Sequence, residues 1–305
     1  MNKIPFMKFS GAGNDFIVVD NRKRVVEPKQ MAPFVARVCR HHLSVGADGV
    51  IFIEKSRRAH FCWRFYNNDG GEAEFCGNGA RCAARFAYLK RIAPRAMRFE
   101  GVAGIIEAVV SGEQVTVRAP EPTGVRFNVR VPLSHSSAAL PPGQVGAGGA
   151  SAGPPPGQIV IAGHAINTGV PHFVYFVPDT ATAEVIGIGR PIRYHDAFKP
   201  AGTNANFVQV VDRHTIHVRT YERGVEDETL ACGSGSLASA LIAALVYKVE
   251  SPVTVVPLSR MPLTVTFRMK GDPPEAGFVD VTLTGNALVV YEGLMRPEAW
   301  EDGRR

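Results

Sequence analysis

No stretch of this 305-residue chain approaches the ~20 uninterrupted apolar residues that a membrane-spanning helix needs. The longest candidate, Leu237–Val249, is too short, so no membrane span or membrane partner is expected. The opening MNKIPFMKFSG turns polar before any apolar signal core can form. Cysteine is scarce and odd in number. Five residues without a repeated spacing do not make a disulfide framework, and this points to a reducing, cytoplasmic setting. Clustered positive charge is missing too. The net charge is +6 and the pI about 9.2. Yet the basic residues are scattered, as at Arg57-Arg58, Lys90-Arg91, Arg95, Arg98 and Arg304-Arg305. No nucleic-acid motif accompanies them, so the charge reads as a solvated surface and no nucleic-acid partner is expected.

Helical periodicity is also sparse. Short β-branched runs bounded by Gly, Pro, Asn and Asp dominate instead. The first are Phe16–Val19, Val50–Glu54 and Phe61–Phe65. The series resumes at Val115–Arg118 and continues to Ala287–Tyr291. Three helices are predicted. Met31–His42 gathers Met31, Phe34, Val35 and Val38 on one face. Gly79–Arg91 would turn Arg81, Arg85 and Lys90 to water and cover the core with Ala83, Ala84, Ala87 and Leu89. Ser236–Tyr247 is apolar nearly all round, as a buried helix is. Many strands around one buried helix, twice over, predict an α+β fold of two similar halves. The stretch Pro141–Gly157 is low-complexity Gly, Ala and Pro and reads as a surface insertion, near residues 134–158.

Two segments carry the chemistry. FCGNGARCAARF runs from Phe75 to Phe86, and ACGSGSLASALIAAL from Ala231 to Leu245. Each places a Cys-Gly-polar-Gly unit at the start of a helix. A helix N-terminus lowers the pKa of a thiol. The glycines leave backbone N–H groups uncovered for a carboxylate or phosphate. A single such Cys reads most simply as a small buried hydrophobe; two matched units do not. Inverting a carbon stereocentre needs a base on one face and an acid on the other, exchanging roles in the reverse reaction. A thiolate and a thiol suit that task, and N–H dipoles at the helix starts would meet the charge building on the substrate carboxylate. No cofactor and no metal are called for. Cys39, Cys62 and Cys82 read as packing residues.

Five motifs occur in register: FSGAGNDFIVVD, NNDGGEAEFCGNGARC, TGVPH, GTNANFVQV and YERGVEDETLACGSGS. Together they resemble diaminopimelate epimerase, from Lys8 to about Gly293 apart from the Gly/Pro-rich insertion. The resemblance implies a cofactor-independent isomerase that interconverts LL- and meso-diaminopimelate in lysine and peptidoglycan precursor synthesis. It implies two homologous halves, each a mostly antiparallel sheet wrapped around a central helix. These would be residues 1–122 plus 284–305, carrying Cys76, and residues 123–283, carrying Cys232. It also implies a homodimer. By position, Cys76 and Cys232 become the acid/base pair. Gly77 and Asn78, with Gly233 and Ser234, would cradle the reacting carboxylate. Asn14, Asn67, Asn204, Glu222 and Arg223 would contact the substrate, and His172 and Glu222 would tune the two thiols.

Two positions depart from the family pattern. Gly49 stands in GADG where many members have Gln, and Val170 stands in GVPH where many have Asn. The detail of recognition at the non-reacting end is thereby open. Three other readings remain. One is a proline- or hydroxyproline-type racemase, or a phenazine-type isomerase, of the same architecture. Another is a hydrolase with Cys232 as nucleophile and His172 as base. The last is a non-enzymatic anion-binding protein.

Overall fold

The computed structural model describes residues 3–73, 75–102, 104–134, 158–271 and 277–301. The Pro141–Gly157 stretch lies outside the described residues. The chain divides into two compact units, residues 1–118 with 284–305 and residues 119–283.

The first unit opens with β1 (Ile4–Gly11), β2 (Asn14–Asp20), α1 (Pro28–Val38), β3 (Gly49–Glu54) and β4 (Phe61–Asn67). It continues with α2 (Gly77–Leu89), β5 (Ala96–Gly101), β6 (Gly104–Ser111) and β7 (Gln114–Arg118). Successive strand pairings are antiparallel for β1–β2, parallel for β2–β3, antiparallel for β3–β4, parallel for β4–β5 and antiparallel for β5–β6. Helices α1 and α2 make the two crossovers that the parallel pairs require.

Strand side chains alternate between faces, and here both faces are covered. Phe16 and Val18, with Ile51 and Ile53, pack in one core with Ala80, Ala83, Ala84 and Ala87 of α2. Their neighbours Ile17, Val19, Val50 and Phe52 pack on the other face with Met31, Phe34 and Val35 of α1. This is why β2 and β3 read as unbroken apolar runs rather than alternating ones. The run of alanines lets α2 sit close against the sheet.

The second unit repeats the plan. It contains β8 (Thr123–Ser134), β9 (Gln158–Asn167), β10 (Pro171–Phe176), α3 (Val185–Tyr194), β11 (Asn204–Val210) and β12 (Thr215–Glu222). Next come β13 (Asp227–Thr229), α4 (Gly233–Tyr247), β14 (Val253–Pro257) and β15 (Leu263–Lys270). Pairing is antiparallel for β9–β10, parallel for β10–β11, antiparallel for β11–β12, parallel for β12–β14 and antiparallel for β14–β15. The order is that of the first unit. Helix α4, buried along most of its length, packs on β9, β10, β11, β12, β14 and β15. The chain then returns through β16 (Gly277–Asn286) to β17 (Leu288–Met295), which pairs antiparallel with β1. The expected α+β architecture of two sheet-wrapped helices is what the chain adopts.

Some elements differ from the sequence reading. Strands β1, β5, β6 and β13 were not expected, and neither was α3. Helix α3 buries Val185, Ile188 and Ile192 at helical spacing, but Gly187, Gly189 and Pro191 interrupt the pattern. Tertiary packing explains one of these breakers: a Cβ on Gly189 would lie 2.5 Å from the Tyr221 Cβ. Helix α2 corrects a second expectation. Arg81 does not face water but is fully buried. It donates to the Asn78 side-chain oxygen (2.9 Å), the Gly77 carbonyl (3.2 Å) and the Asn286 carbonyl (3.3 Å). Arg85 likewise turns inward to the Ala287 carbonyl. Lys90 is the one of the three at the surface, paired with Glu292 at 2.8 Å. The returning strand supplies these carbonyls, and a local reading of α2 cannot see it. Leu89, expected in the core, is exposed.

Candidate active site

In the first unit, Cys76 is the N-cap of α2. Its backbone is extended (φ −143°, ψ 113°), and its Sγ accepts the Gly79 N–H at 3.4 Å. A cap is usually Ser, Thr, Asp or Asn. Sulfur in that place brings an orphan helix donor to the thiol, an arrangement that favours the thiolate. Gly77 and Asn78 follow, both buried.

Asn14, at the start of β2, donates through Nδ2 to Asp48 at 2.6 Å. A carboxylate only accepts, so the Asn14 amide oxygen is left to face Cys76 Sγ (3.9 Å) and Asn78 Nδ2 (3.5 Å). Asp48 also takes the Asp15 N–H at 2.9 Å, and Asp15 pairs with the buried Lys8 at 2.6 Å. A continuous polar chain thus runs from Lys8 through Asp15, Asp48, Asn14 and Asn78 to Arg81. Gly11 passes close beneath it: a Cβ there would lie 3.0 Å from the Asn78 carbonyl oxygen. Asn67, half-buried at the end of β4, contributes only backbone bonds among the described residues, pairing with Gly71 and Gly70 at 2.9 Å each. Gly49 is buried, and a Cβ on it would lie 2.5 Å from the Tyr66 carbonyl oxygen. The register of β3 against β4 therefore leaves no room for a side chain at this position.

In the second unit, Cys232 is the N-cap of α4 (φ −107°, ψ 113°). Its Sγ accepts the Gly235 N–H at 3.3 Å and lies 3.6 Å from the Ser234 hydroxyl. Gly233 is buried behind it, and the Ser234 carbonyl is held by the Thr168 hydroxyl at 3.0 Å. His172 is fully buried on β10. Burial foremost, and the nearby positive charge of Arg223, push its pKa down to about 3. Asn204 spans two elements. Its Nδ2 donates to the Pro171 carbonyl (2.8 Å), and its Oδ1 accepts the Arg223 N–H (2.8 Å). Arg223 also reaches the Ala201 carbonyl at 3.1 Å, and Glu222 accepts from Thr229 at 2.8 Å. Val170 is half-buried, and its carbonyl takes the Thr168 N–H at 3.2 Å.

The remaining thiols sit elsewhere. Burial pushes Cys39 and Cys82 up to about 12 and Cys62 up to about 11, so they stay protonated at neutral pH. None of the five cysteines is in a disulfide.

In the first unit Cys76, Asn78 and Asn14 form one hydrogen-bonded neighbourhood. In the second, Cys232 bonds within its own helix start, Asn204 joins Pro171 to Arg223, and His172 bonds Asn206. The sequence reading missed Asp48, Arg81 and Asn206. One signal for Asn206 was present: residues two apart on a strand share a face, so Asn204 and Asn206 of GTNANF point the same way. Arg81 carried no such signal.

A family model described as diaminopimelate epimerase matches residues 6–124 and 164–268, well over half of the chain. The chain belongs to the diaminopimelate epimerase family. The break between the matched segments contains the Gly/Pro-rich stretch. A diaminopimelate epimerase of Aquifex aeolicus is 41% identical over 97% of this chain and 99% of its own length. One from Hydrogenobaculum sp. is 40% identical over 95% and 98%, and one from Archaeoglobus fulgidus 37% over 96% and 97%. Among solved structures, a phenazine biosynthesis protein of the PhzF family from Bacillus anthracis matches with a TM-score of 0.68 at 15% identity, over 97% of this chain and 100% of that one. A probable proline racemase from Agrobacterium radiobacter matches at 0.64 and 13%, over 96% and 92%. At such identities these two share the fold alone, and the racemase reading loses ground to the epimerase family.

Proposed function

We propose that this chain is an isomerase that interconverts LL- and meso-diaminopimelate by proton transfer at Cα, using Cys76 and Cys232 as the two acid/base groups. One observation carries the reading: in a member of this family, each of two structural repeats places a Cys as the sulfur N-cap of its central helix. In the forward step a thiolate takes the Cα proton, forming S–H as C–H breaks. The electron pair passes into the carboxylate carbon and gives an enolate-like species. The opposite thiol then returns a proton to the other face and becomes the thiolate. Charge building on the carboxylate oxygens would be met by the N–H groups of Gly77 and Asn78 and of Gly233 and Ser234. Asn14, Asn67, Asn204, Glu222 and Arg223 would hold the rest of the substrate, with Arg223 suited to a two-pronged carboxylate contact. His172 and Glu222 would set the thiol environments.

The test is solvent-deuterium exchange. The purified protein should incorporate deuterium at Cα of LL- and meso-diaminopimelate without added cofactor. Exchange on proline but not on diaminopimelate would replace this reading with the racemase one. We place the reaction in the cytoplasm, in lysine biosynthesis. We also propose a homodimer through the first unit, where Tyr88, Leu89, Val290, Tyr291 and Leu294 leave apolar surface exposed. Analytical ultracentrifugation of Leu294→Glu should then give a monomer.

A further inference from the structure

Asn206 is fully buried on β11. The Phe173 carbonyl oxygen lies 2.9 Å from its Nδ2 and can only accept. The amide is therefore oriented with Nδ2 toward Phe173 and Oδ1 toward Thr220, whose hydroxyl donates at 3.0 Å. The opposite orientation would press two carbonyl oxygens together. The other N–H of Nδ2 reaches His172 Nδ1 at 3.1 Å. Nδ1 must then accept, and in a neutral imidazole the ring proton sits on Nε2. His172 Nε2 is buried and has no hydrogen-bond partner among the described residues. A buried donor left unpaired is costly, so the site is built to receive an acceptor.

We infer that Asn206 is a positioning residue that locks His172 as an Nε2–H donor for a carboxylate oxygen of the bound amino acid. The inference rests on the epimerase reading for its ligand, and on the hydrogen-bond geometry alone for the tautomer. His172 then does not act as a base, which removes the hydrolase alternative. Its low pKa, set by burial first and by Arg223, keeps the ring neutral. Asn206 also bears on the thiol: a Cβ on Gly235, whose N–H serves Cys232, would collide with the Asn206 amide oxygen.

Two-bond proton–nitrogen correlation spectra of the ¹⁵N-labelled, substrate-free protein test this directly. His172 should show a pyridine-type Nδ1 and a pyrrole-type Nε2, without titrating between about pH 5 and pH 8. A proton on Nδ1, or a titration in that window, overturns the proposal. Asn206→Asp presents an acceptor to Nδ1; it should move the proton there or charge the ring, and lower kcat by roughly 10²-fold. An unchanged ring state in that variant overturns the role of Asn206. His172→Gln, which can offer an N–H near the Nε2 position, should retain roughly ten-fold more activity than His172→Ala; equal loss in both overturns the donor role. The spectra need no substrate. An Nε2–H ring in a protein that exchanges no Cα proton would refute the epimerase reading and leave the tautomer standing. An Nδ1-protonated ring in an active enzyme would do the reverse.

Discussion

The starts of α2 and α4 share a plan and differ in what stands behind it. Each begins Cys-Gly-polar-Gly, and each sulfur receives the N–H of the residue three places on, at 3.4 and 3.3 Å. Five residues after Cys76 stands Arg81, a buried cation; five after Cys232 stands Leu237, a buried hydrocarbon. The Cys76 neighbourhood is charged and extends through Asn14 and Asp48 to Lys8. In the second unit the fully buried polar pair is uncharged, Asn206 bonded to His172, with the Arg223 charge near the ring. The shared part is what one step of proton transfer needs from either side. The unshared part gives the two thiols different surroundings.

The comparison can be broken at four points. The largest effect should come from the shared part: Cys76→Ala and Cys232→Ala should each lower epimerisation by ~10⁴-fold. Full activity in either variant, measured by Cα deuterium exchange, would end the two-base mechanism. Next is the cation. Arg81→Leu copies the other helix and strips three acceptors of their donor. We expect kcat to fall by about 10²-fold, with slower alkylation of Cys76 and no change at Cys232 by peptide mapping. Third are the matched glycines. Gly235→Ala drives a methyl into the Asn206 amide oxygen and to 3.2 Å from Cys232 Sγ, and should cost ~1–3 kcal/mol in urea unfolding. Gly79→Ala meets Ile51 and Trp63 at 3.4 Å and the Cys76 Cβ at 3.6 Å, and should stay within about 1 kcal/mol of the parent. Equal costs would mean that the two helix starts are packed alike.

The smallest effect is a pH dependence confined to the second unit. His172 is lowered from 6.5 to about 3 on folding. Below pH 6.5 the unfolded chain takes up a proton that the folded chain refuses, so stability declines as pH falls from there toward about 3. His172→Gln should flatten that decline. Urea midpoints compared at about pH 7 and about pH 5 give the slope.

Much of the site was legible because the chemistry is local in the chain. Cys76-Gly77-Asn78 and Cys232-Gly233-Ser234 each announce a helix start within four residues, and the repetition states that there are two. Strands β2 and β3 were legible as apolar runs because both of their faces are covered, whereas β5, in the other parallel pair of the first unit, was not. Arg81 was not legible, since its burial depends in part on the carbonyl of Asn286, which arrives 205 residues later. Helix α3 was hidden by two glycines and a proline, of which Gly189 is required by Tyr221. Its existence was implied by α1, because a duplicated sheet needs the same crossover in both halves.

By itself, the sequence determined the duplicated Cys-capped helices and the chemistry they permit. These rest on adjacency and on hydrophobic periodicity. Only the tertiary structure decided which polar groups stand behind each thiol. Asp48, Arg81 and Asn206 act through partners distant in the chain. Whether a polar side chain is a solvated charge or a buried positioning group depends on which backbone oxygens the fold brings to it.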